Sequence, residues 1–505
     1  MIYTSVPFDL SLSFKLFAVA ASLVLLRYLS LAAYHVYISP LKSVPGPPAA
    51  RFTRLWEMWA LSQGDFHKTV VKLHEKYGPI VRLAPNRFSI NTYADMKKIY
   101  KVTNACPKSD YYKLFGLPGV YNLLNIIDEK FHSKRKRSVA GLYSVSNLVH
   151  YESAVDTTNV ILRNKMLQLM EGGGAVNIPK LCQYYAFDVI GQITWNDDFN
   201  MIVQQRDPTG AIANIETFLK GAAYMGLISN ITFPVLNFIS KIFTTNAGVL
   251  EVIVGMQIQD AAATLKKQEK VPDTSNTPYE PFLYKLLKIE ATGQVDHASV
   301  RDAVGSNIVA GSDTTGITLS AMLWYIYQNK NVLVALRKEI DDLAARGLVS
   351  NPVTWKESQE MPYLQAVVME TLRMHPAVSV PLPRVVPKGG VELSGVFFPE
   401  NTVVGCSAWA LHYNPRITAA PEVFRPERWL DGSVRDLSQK PSESFSFGGG
   451  SRVCIGKNIS MLEIFKVIPQ IVREFDLHFD SNDWKLDSAW FVYPRYTGRI
   501  SLRKN

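Results

Sequence analysis

Helical patterning dominates the sequence, and it predicts a mainly helical protein with a few short strands. Residues 155–267 are helical in pattern almost throughout, and residues 299–329 form a second long helical pattern. Short strands are indicated at 80–83 and 88–91, on either side of a Pro-Asn turn. The chain has 505 residues, 47% of them hydrophobic, which suffices for a large core, and no repeat or linker divides it.

The chain begins with a stretch that is predicted to cross a membrane. Residues 16–38 are mostly apolar, and as a helix they would be about 34 Å long, enough for a hydrocarbon core. Arg27 interrupts them, so a shorter span over residues 10–26 is the alternative. A cleaved signal peptide is disfavoured because the N-terminus is poor in positive charge. We therefore predict an uncleaved single-pass anchor over residues 1–40, with the body in the cytosol because basic residues follow the span.

Composition limits the partners of the body. The formal net charge is +10, yet no aromatic–basic nucleic-acid module and no zinc-finger spacing accompanies it, so no nucleic-acid partner is expected. Four cysteines in so long a chain do not indicate a disulfide framework, which favours a reducing compartment. Residues 41–50 are rich in proline and are expected to form an extended, non-helical hinge behind the anchor.

One cysteine lies in a glycine-rich segment, residues 447–456, before an apolar run that is typical of a helix. Near a helix N-terminus, unpaired N–H groups favour a thiolate and lower the pKa of the thiol. Arg452 is placed to reach an anionic group at the edge of a flat ligand, whose close approach the glycines allow. A buried structural cysteine would not need these residues at fixed offsets, and the phosphate-loop pattern fails at Ser451 and Asn458.

The pattern of this segment, F-x-x-G-x-R-x-C-x-G, resembles that of the haem-thiolate monooxygenases, the cytochrome P450 superfamily. The resemblance implies that Cys454 is the axial ligand of the iron in haem b, that Arg452 binds a haem propionate, and that Phe447 packs beside the ligand. It also implies a mainly α fold with small β-sheets (α+β) and one catalytic domain over residues 51–505. The wording of residues 367–429 is most similar to the fungal branch that includes pisatin demethylase.

A weak point interrupts the second long helical pattern at residues 310–316, where glycines and threonines lower the helix propensity. A glycine-mediated contact between helices explains such a segment as well as a groove beside a ligand does. By the resemblance, Ala310 and Gly311 leave room for dioxygen beside the iron. Thr314 would hydrogen-bond the bound oxygen species, and Asp313 would supply it with protons from solvent.

Two charged segments are interpreted as structural. Glu370 and Arg373 are three residues apart on a predicted helix, so they share a face and can pair. Such a pair is by itself usually a surface ion pair of little worth. The resemblance adds Arg428, which would close a buried network that supports the core on the cysteine side.

The basic segment 132–137 is, taken alone, a solvated helix face or a nucleic-acid patch. The resemblance instead makes His132 and Lys136 partners of the haem propionates, with Arg137 as the alternative to Lys136. It assigns the same role to Arg384, just beyond a predicted strand.

Candidate substrate contacts follow from the same resemblance. Val378, Ser379 and Val380 would face the haem, and Trp490 would lie in a second substrate-contacting turn. The irregular connection 108–127 is rich in bulky apolar residues and would cover the substrate cavity, although a packed loop explains its composition equally well.

The resemblance implies a monooxygenase that uses O2 and electrons from NADPH, passed on by a flavoprotein NADPH-cytochrome reductase. It would hydroxylate or otherwise oxidise a small apolar molecule at the endoplasmic reticulum membrane, in fungal secondary metabolism, with a terpenoid or polyketide as substrate. A haem-thiolate isomerase or dehydratase is an alternative that the intact Asp313 and Thr314 disfavour. A non-catalytic haem-binding protein is the other.

Overall fold

The computed structural model describes residues 10–242, 249–267, 279–430 and 444–504. Helices dominate these ranges. Those of the N-terminal half are α1 (Leu10–Ala33), α2 (Leu55–Ser62), α3 (Phe66–Tyr77), α4 (Tyr93–Ile99), α5 (Glu129–Ala140), α6 (Val145–Leu148), α7 (Glu152–Glu171), α8 (Ile178–Trp195), α9 (Met201–Gln204), α10 (Ala211–Leu227), α11 (Ser229–Ile242) and α12 (Val249–Lys267). Those of the C-terminal half are α13 (Phe282–Ala291), α14 (His297–Ser306), α15 (Ser312–Gln328), α16 (Lys330–Ala345), α17 (Trp355–Gln359), α18 (Pro362–Met374), α19 (Ala408–His412) and α20 (Lys457–Glu474).

The strands are short and form small sheets. They are β1 (Ile80–Ala84), β2 (Arg87–Ile90), β3 (Leu382–Val385), β4 (Val391–Leu393), β5 (Val396–Phe398), β6 (Val403–Cys406), β7 (Phe475–Phe479), β8 (Lys485–Ser488), β9 (Val492–Arg495) and β10 (Gly498–Leu502). One sheet has the order β1-β2-β6-β3, in which only the β2–β6 pair is parallel. The other sheets are the antiparallel pairs β4–β5, β7–β10 and β8–β9. This confirms the prediction of a mainly helical fold with small sheets.

Helices α8 and α15 pack directly against each other in the core. Almost every side chain of α8 is buried, which is the pattern of a helix enclosed by protein on all sides. The backbones come so close that a Cβ atom at Gly316 of α15 would lie 2.8 Å from the Cα atom of Gln183 of α8. The two helices therefore form a rigid frame for the side chains between them.

The second long helical pattern proves to be two helices joined by one turn of π-helix. The π-helical turn Asn307–Gly311 separates α14 from α15 and coincides with the start of the predicted weak point. Its Asn307 side chain accepts a hydrogen bond of 2.7 Å from the hydroxyl of Tyr143. Such turns widen a helix locally and occur frequently at functional sites. This segment is therefore a candidate part of the functional site.

The N-terminal region differs in part from its prediction. Among the residues that the structure describes, no helix is long and apolar enough to cross a membrane, and the first nine residues of the predicted anchor lie outside them. The predicted hinge is packed against the body, with Leu41 and Val44 buried. Its last residues belong to a 3₁₀ helix, Pro48–Arg51. This helical turn begins at Pro48 because proline suits the first helical position, whereas residues 44–47 are non-helical as predicted.

Candidate active site

Cys454 lies in a loop that glycines and a backbone hydrogen bond hold in shape. Its N–H group donates to the carbonyl oxygen of Phe447 at 2.9 Å, and α20 begins three residues further on. Gly450 has a φ of +63°, and a Cβ atom there would lie 2.3 Å from the carbonyl oxygen of Lys101. Only glycine fits here because the backbone at Lys101 lies so close. The sequence pattern, in contrast, predicts that the glycines allow the approach of a flat ligand.

The Cys454 thiol is surrounded by enough protein for burial to raise its pKa, although its side chain remains accessible. The backbone N–H groups of Gly456 and Lys457 and the ammonium group of Lys136 act in the opposite direction without prevailing. The prediction of a lowered thiol pKa is therefore wrong for the protein alone. A bound metal cation would deprotonate the thiol outright, and these donors would then stabilise the thiolate.

Five basic side chains form a cluster beside this loop, which we call the cationic cluster. Burial and the charges of four nearby cations together lower the pKa of His132 to about 3, with burial as the largest cause. These four are Arg452, Lys108, Lys136 and Arg384. The sequence predicts every member except Lys108.

Lys136 holds the cysteine loop directly. Its ammonium nitrogen donates to the carbonyl oxygens of Ser451 at 3.0 Å and of Val453 at 2.8 Å. Arg137, the alternative in the sequence analysis, is exposed. Of the two, Lys136 is the residue that contacts the segment of Cys454.

The two arginines of the cationic cluster are held by protein groups. Arg452 forms an ion pair of 2.8 Å with Glu129 and also donates to two backbone carbonyl oxygens. Arg384 donates to the hydroxyl of Tyr112 at 3.1 Å, and its guanidinium carbon lies 4.8 Å from the ring centre of Tyr100. Both guanidinium groups are thus fixed in place before any ligand binds.

Lys108 is the functional candidate that the sequence analysis missed. It is 6% exposed, and its ammonium group donates to the carbonyl oxygens of Leu123 at 3.2 Å and Leu124 at 2.6 Å. Burial first, and then the charges of neighbouring cations, hold its pKa well below the usual value. A lysine in an irregular loop has no sequence pattern that marks it. Lys108 joins the cluster because its backbone forms a β-bridge with that of the strand residue Arg384.

The residues present fit a haem group. Four side chains of the cationic cluster are lysines or arginines, and the carboxylate of Glu129 pairs with one of them. In the described part of the chain, the buried Nδ1 atom of His132 has no hydrogen-bond partner. A ligand with two carboxylates would compensate this charge and this unpaired atom. The thiol of Cys454 lies within reach of the same cluster, since Lys136 acts on both.

Asp313 is fully buried between two hydrogen-bond donors. The amide nitrogen of Gln183 donates to its Oδ1 atom at 2.7 Å, and the hydroxyl of Tyr493 donates to its Oδ2 atom at 3.0 Å. Burial raises the pKa of Asp313 to about 6, against the lowering effect of both hydrogen bonds. The carboxyl group can therefore exist in either protonation state near neutral pH. Both donors, Gln183 and Tyr493, come from elements distant in sequence, so no sequence pattern predicts their contact with Asp313.

The segment around Thr314 is connected to α20, the helix that follows Cys454. The hydroxyl of Thr314 donates to the carbonyl oxygen of Ala310 at 2.8 Å, and Ala310 is exposed although its helix lies in the core. The hydroxyl of Thr315 donates to that of Ser460 on α20 at 2.9 Å. This bond places the start of α15 beside the helix that follows Cys454.

The glycines of this segment have a packing role. A Cβ atom at Gly311 would lie 3.3 Å from the side chain of Ile190 on α8, and Gly316 makes the close contact with α8 described above. The contact between helices that the sequence analysis left open is therefore present. A role for Ala310 and Gly311 in leaving room for dioxygen stays a prediction.

The predicted substrate contacts lie together. The backbone N–H group of Ser379 donates to the carbonyl oxygen of Trp490 at 2.9 Å, and Val378 forms a β-bridge with Phe491. The ring of Trp490 lies 4.4 Å from that of Phe115, at the end of the 3₁₀ helix Asp110–Phe115.

Ser379 and Val380 are both buried. The Ser379 hydroxyl donates to the carbonyl oxygen of Ala489. This hydroxyl is therefore used in holding the two segments together, and substrate contact by these residues stays a prediction.

Glu370, Arg373 and Arg428 form a fully buried ion network. Glu370 Oε1 lies 2.8 Å from Arg373 and 2.9 Å from Arg428, and the indole nitrogen of Trp429 donates to its Oε2 atom at 2.9 Å. Burial would raise the pKa of Glu370, but the hydrogen bonds and charges of the two arginines outweigh it and keep the pKa below its usual value. In the described part of the chain, the ion pairs and hydrogen bonds of these three residues do not involve Asp313 or Thr314, which agrees with a structural role.

Comparison with known proteins identifies a single family. The family model for cytochrome P450 matches residues 45–501. A pisatin demethylase of Fusarium vanettenii is 40% identical over 476 residues, covering 93% of this chain and 90% of that protein. The cytochrome P450 monooxygenases cicH of Emericella nidulans and gsfF of Penicillium aethiopicum are 32% and 30% identical. These two alignments cover 92% and 91% of this chain, and 94% of each relative.

Proposed function

Because this chain belongs to the cytochrome P450 family and is a monooxygenase, we propose that it binds haem b through Cys454 and takes its electrons from NADPH through a flavoprotein reductase. The family implies haem iron with a thiolate ligand, dioxygen and a redox partner. The observation that carries the residue assignment is the accessible thiol beside the cationic cluster, which contains an unpaired buried nitrogen.

In this proposal, haem iron with a thiolate ligand supplies the activation of dioxygen and the oxidation of a C–H bond. The protein contributes the groups around it. Cys454 provides the thiolate, which the N–H groups of Gly456 and Lys457 stabilise. The cationic cluster would hold the two propionate carboxylates of the haem. The buried carboxyl group of Asp313, whose pKa burial raises to about 6, can take up and release a proton, and Thr314 lies next to it in sequence with its hydroxyl on the accessible side of α15.

We propose a small apolar substrate from fungal secondary metabolism, a terpenoid or a polyketide. The support is the apolar and aromatic character of the segments that the resemblance assigns to the cavity, among them Phe115, Val380 and Trp490. Several relatives are fungal monooxygenases, and one is named for the demethylation of pisatin. Such walls offer dispersion and desolvation and few polar contacts, which suits a hydrophobic ligand.

We further propose that the enzyme is attached to the endoplasmic reticulum membrane, with its catalytic domain in the cytosol. Two features support this. Helix α1 exposes Val19, Leu23 and Leu26 to more than half of their surface. Helices α2 and α11 also expose large apolar side chains, and Arg54, at the start of α2, donates to the carbonyl oxygen of Leu227 just before α11. The exposed apolar side chains of these two helices are Leu55, Trp59, Ile231, Val235, Phe238 and Ile239.

Carbonate extraction of microsomes tests the attachment. The full chain is expected in the pellet, and a variant lacking residues 1–40 is expected to be released in larger part. Recovery of the full chain in the carbonate supernatant would contradict the proposal.

Reconstitution with a purified reductase tests the function. Holoenzyme, NADPH and a panel of terpenoids and polyketides are combined, and NADPH consumption is compared with product formation. A monooxygenase consumes NADPH and dioxygen in step with product. A haem-thiolate isomerase or dehydratase would turn substrate over without NADPH, and a non-catalytic haem protein would do neither.

A further inference from the structure

Tyr493 connects Asp313 with the outer part of the molecule. Its hydroxyl lies 3.0 Å from Asp313 Oδ2, and its side chain is partly exposed on β9. Asp313 itself is fully buried, so a proton that reaches its carboxyl group must pass through a neighbouring group. Among the residues that the structure describes, Tyr493 is one of two side chains that hydrogen-bond this carboxyl group.

A cleft of about 220 Å³ opens beside Tyr493. Charged side chains line it, contributed by α10, β8 and β9: Glu216, Lys220, Asp487 and Arg495. A space of this size holds several water molecules, and charged walls keep such water in place. The cleft therefore brings solvent to the outer side of the Tyr493 side chain.

We propose that this cleft is the proton inlet of the enzyme and that Tyr493 is the group that passes the proton to Asp313. The Tyr493 O–H bond breaks as its proton moves to Asp313 Oδ2, while the phenolic oxygen accepts a proton from a water molecule of the cleft. One proton thus leaves the solvent and one arrives on the carboxylate, so no charge remains on the tyrosine. The inference rests on the proposed function, in which Asp313 supplies protons to the oxygen site.

Gln183 is a positioning residue in this arrangement. Its amide nitrogen donates to Asp313 Oδ1 at 2.7 Å, and its amide oxygen accepts a hydrogen bond of 3.0 Å from Lys180. An amide group does not readily give up a proton at neutral pH, whereas a hydroxyl both accepts and donates one. The two donors of Asp313 therefore divide the work: Gln183 fixes the carboxyl group, and Tyr493 exchanges its proton.

The charges around the relay set its working range. Lys180 on α8 lowers the pKa of Asp313 and Glu216 on α10 raises it. On the strand side, Arg495 lies 3.7 Å from Glu216 and 3.8 Å from Asp487. With burial as the largest cause, the pKa of Asp313 is about 6. The carboxylate form that accepts a proton is therefore the major one at neutral pH.

Two variants test the inlet on the haem-loaded chain. Tyr493→Phe keeps the ring and removes the hydroxyl, and Glu216→Gln removes a partly exposed charge at the cleft. The matched control is Tyr496→Phe, since the hydroxyl of Tyr496 donates to the carbonyl oxygen of Ser320 and not to Asp313. An unchanged absorption spectrum of the oxidised haem shows that each variant is folded.

The first readout is the protonation midpoint of Asp313, obtained from infrared difference spectra with Asp313→Asn as the reference. Loss of the Tyr493 hydrogen bond is expected to raise the midpoint, and loss of the Glu216 charge to lower it. The control leaves it unchanged. A midpoint that Tyr493→Phe does not move would overturn the contact on which the inlet depends.

The second readout is the rate of NADPH-driven dioxygen consumption with purified reductase, in H2O and in D2O. Tyr493→Phe is expected to slow it about tenfold or more and to alter the solvent isotope effect, as loss of a proton-transfer group does. An active wild-type enzyme beside an equally active Tyr493→Phe variant with the same isotope effect would overturn the inlet alone. A haem-loaded wild-type enzyme that consumes no dioxygen would overturn the proposed function as well.

Discussion

The hydroxyl of Ser446 donates to the carbonyl oxygen of Leu372 at 2.7 Å, which joins the loop of Cys454 to the helix that carries Glu370 and Arg373. The loop is thereby attached to α18 on one side, and Lys136 of α5 holds it on the other. The ion network of α18 and the loop of Cys454 are therefore connected through the hydrogen bond between Ser446 and Leu372.

Replacing Glu370 by Gln is expected to prevent stable folding or to cost about 3–5 kcal/mol, because Arg373 and Arg428 would keep their buried charges without a carboxylate. Denaturant unfolding and the haem content of the purified protein measure the loss. Glu474→Gln is the control, since its ion pair with Arg163 is partly exposed and contributes less than about 1 kcal/mol. Equal stability of the two variants would contradict the structural role.

Lys108→Met is expected to speed the loss of haem about tenfold, since a charge-assisted hydrogen bond to a carboxylate contributes about 1.5–3 kcal/mol. Transfer of haem to an acceptor apoglobin measures the rate. The apoprotein, in contrast, should unfold at higher denaturant concentration, because the variant removes a buried cation among other cations. Lys101→Met, at an exposed side chain, serves as the control. Unchanged haem loss in the Lys108 variant would exclude Lys108 from the binding site.

Glu463 should make the protein less stable as the pH rises. Both of its carboxyl oxygens are buried without a hydrogen-bond partner in the described part of the chain, and burial raises its pKa well above the usual value. The folded protein therefore retains a proton that the unfolded chain loses, so stability falls from the unfolded pKa upward until the folded pKa is reached. Glu463→Met should raise the free energy of unfolding at neutral pH by about 1–3 kcal/mol. It should also reduce this pH dependence.

Urea unfolding at several pH values measures both effects of Glu463→Met, and the exposed Glu400→Met provides the comparison. A Glu463→Met variant that is less stable than the wild type at neutral pH would show that the carboxyl group has a partner in solution.

Arg137→Glu is expected to slow reduction of the haem by the flavoprotein reductase several-fold, because an acidic partner surface would meet a reversed charge. Of the neighbouring cations Lys136 and Arg137, Arg137 is exposed, whereas Lys136 is hydrogen-bonded to the loop of Cys454. The effect should diminish at high ionic strength. Reduction by dithionite, which needs no docking, should be unchanged. An unaltered reductase-driven rate at low ionic strength would place the docking surface elsewhere.

The fold was predictable because its signals are local. The two short strands expected around the Pro-Asn turn are β1 and β2. The cysteine segment is recognisable from its spacing, whereas the buried network of Glu370 and Arg373 is implied only by the resemblance. Low helix propensity predicts the break within 299–329, but nothing in that propensity predicts a π-helical turn.

The rest of the site depends on contacts between residues far apart in sequence. Lys108 joins the cationic cluster only through its bridge to Arg384. Gln183 and Tyr493 meet Asp313 only because α8 and β9 both pack on α15. The lowered thiol pKa expected for Cys454 was wrong for a related reason: burial by the assembled fold outweighs the local N–H groups.

The reduced, carbon-monoxide-bound absorption spectrum of the purified protein tests the central claim, that Cys454 is the haem ligand. The account predicts a strongly red-shifted Soret band that Cys454→Ala abolishes and that Cys106→Ala, at a buried cysteine of the core, retains. A band at the position of histidine-ligated haem in the wild type, or a red-shifted band that survives Cys454→Ala, would contradict it.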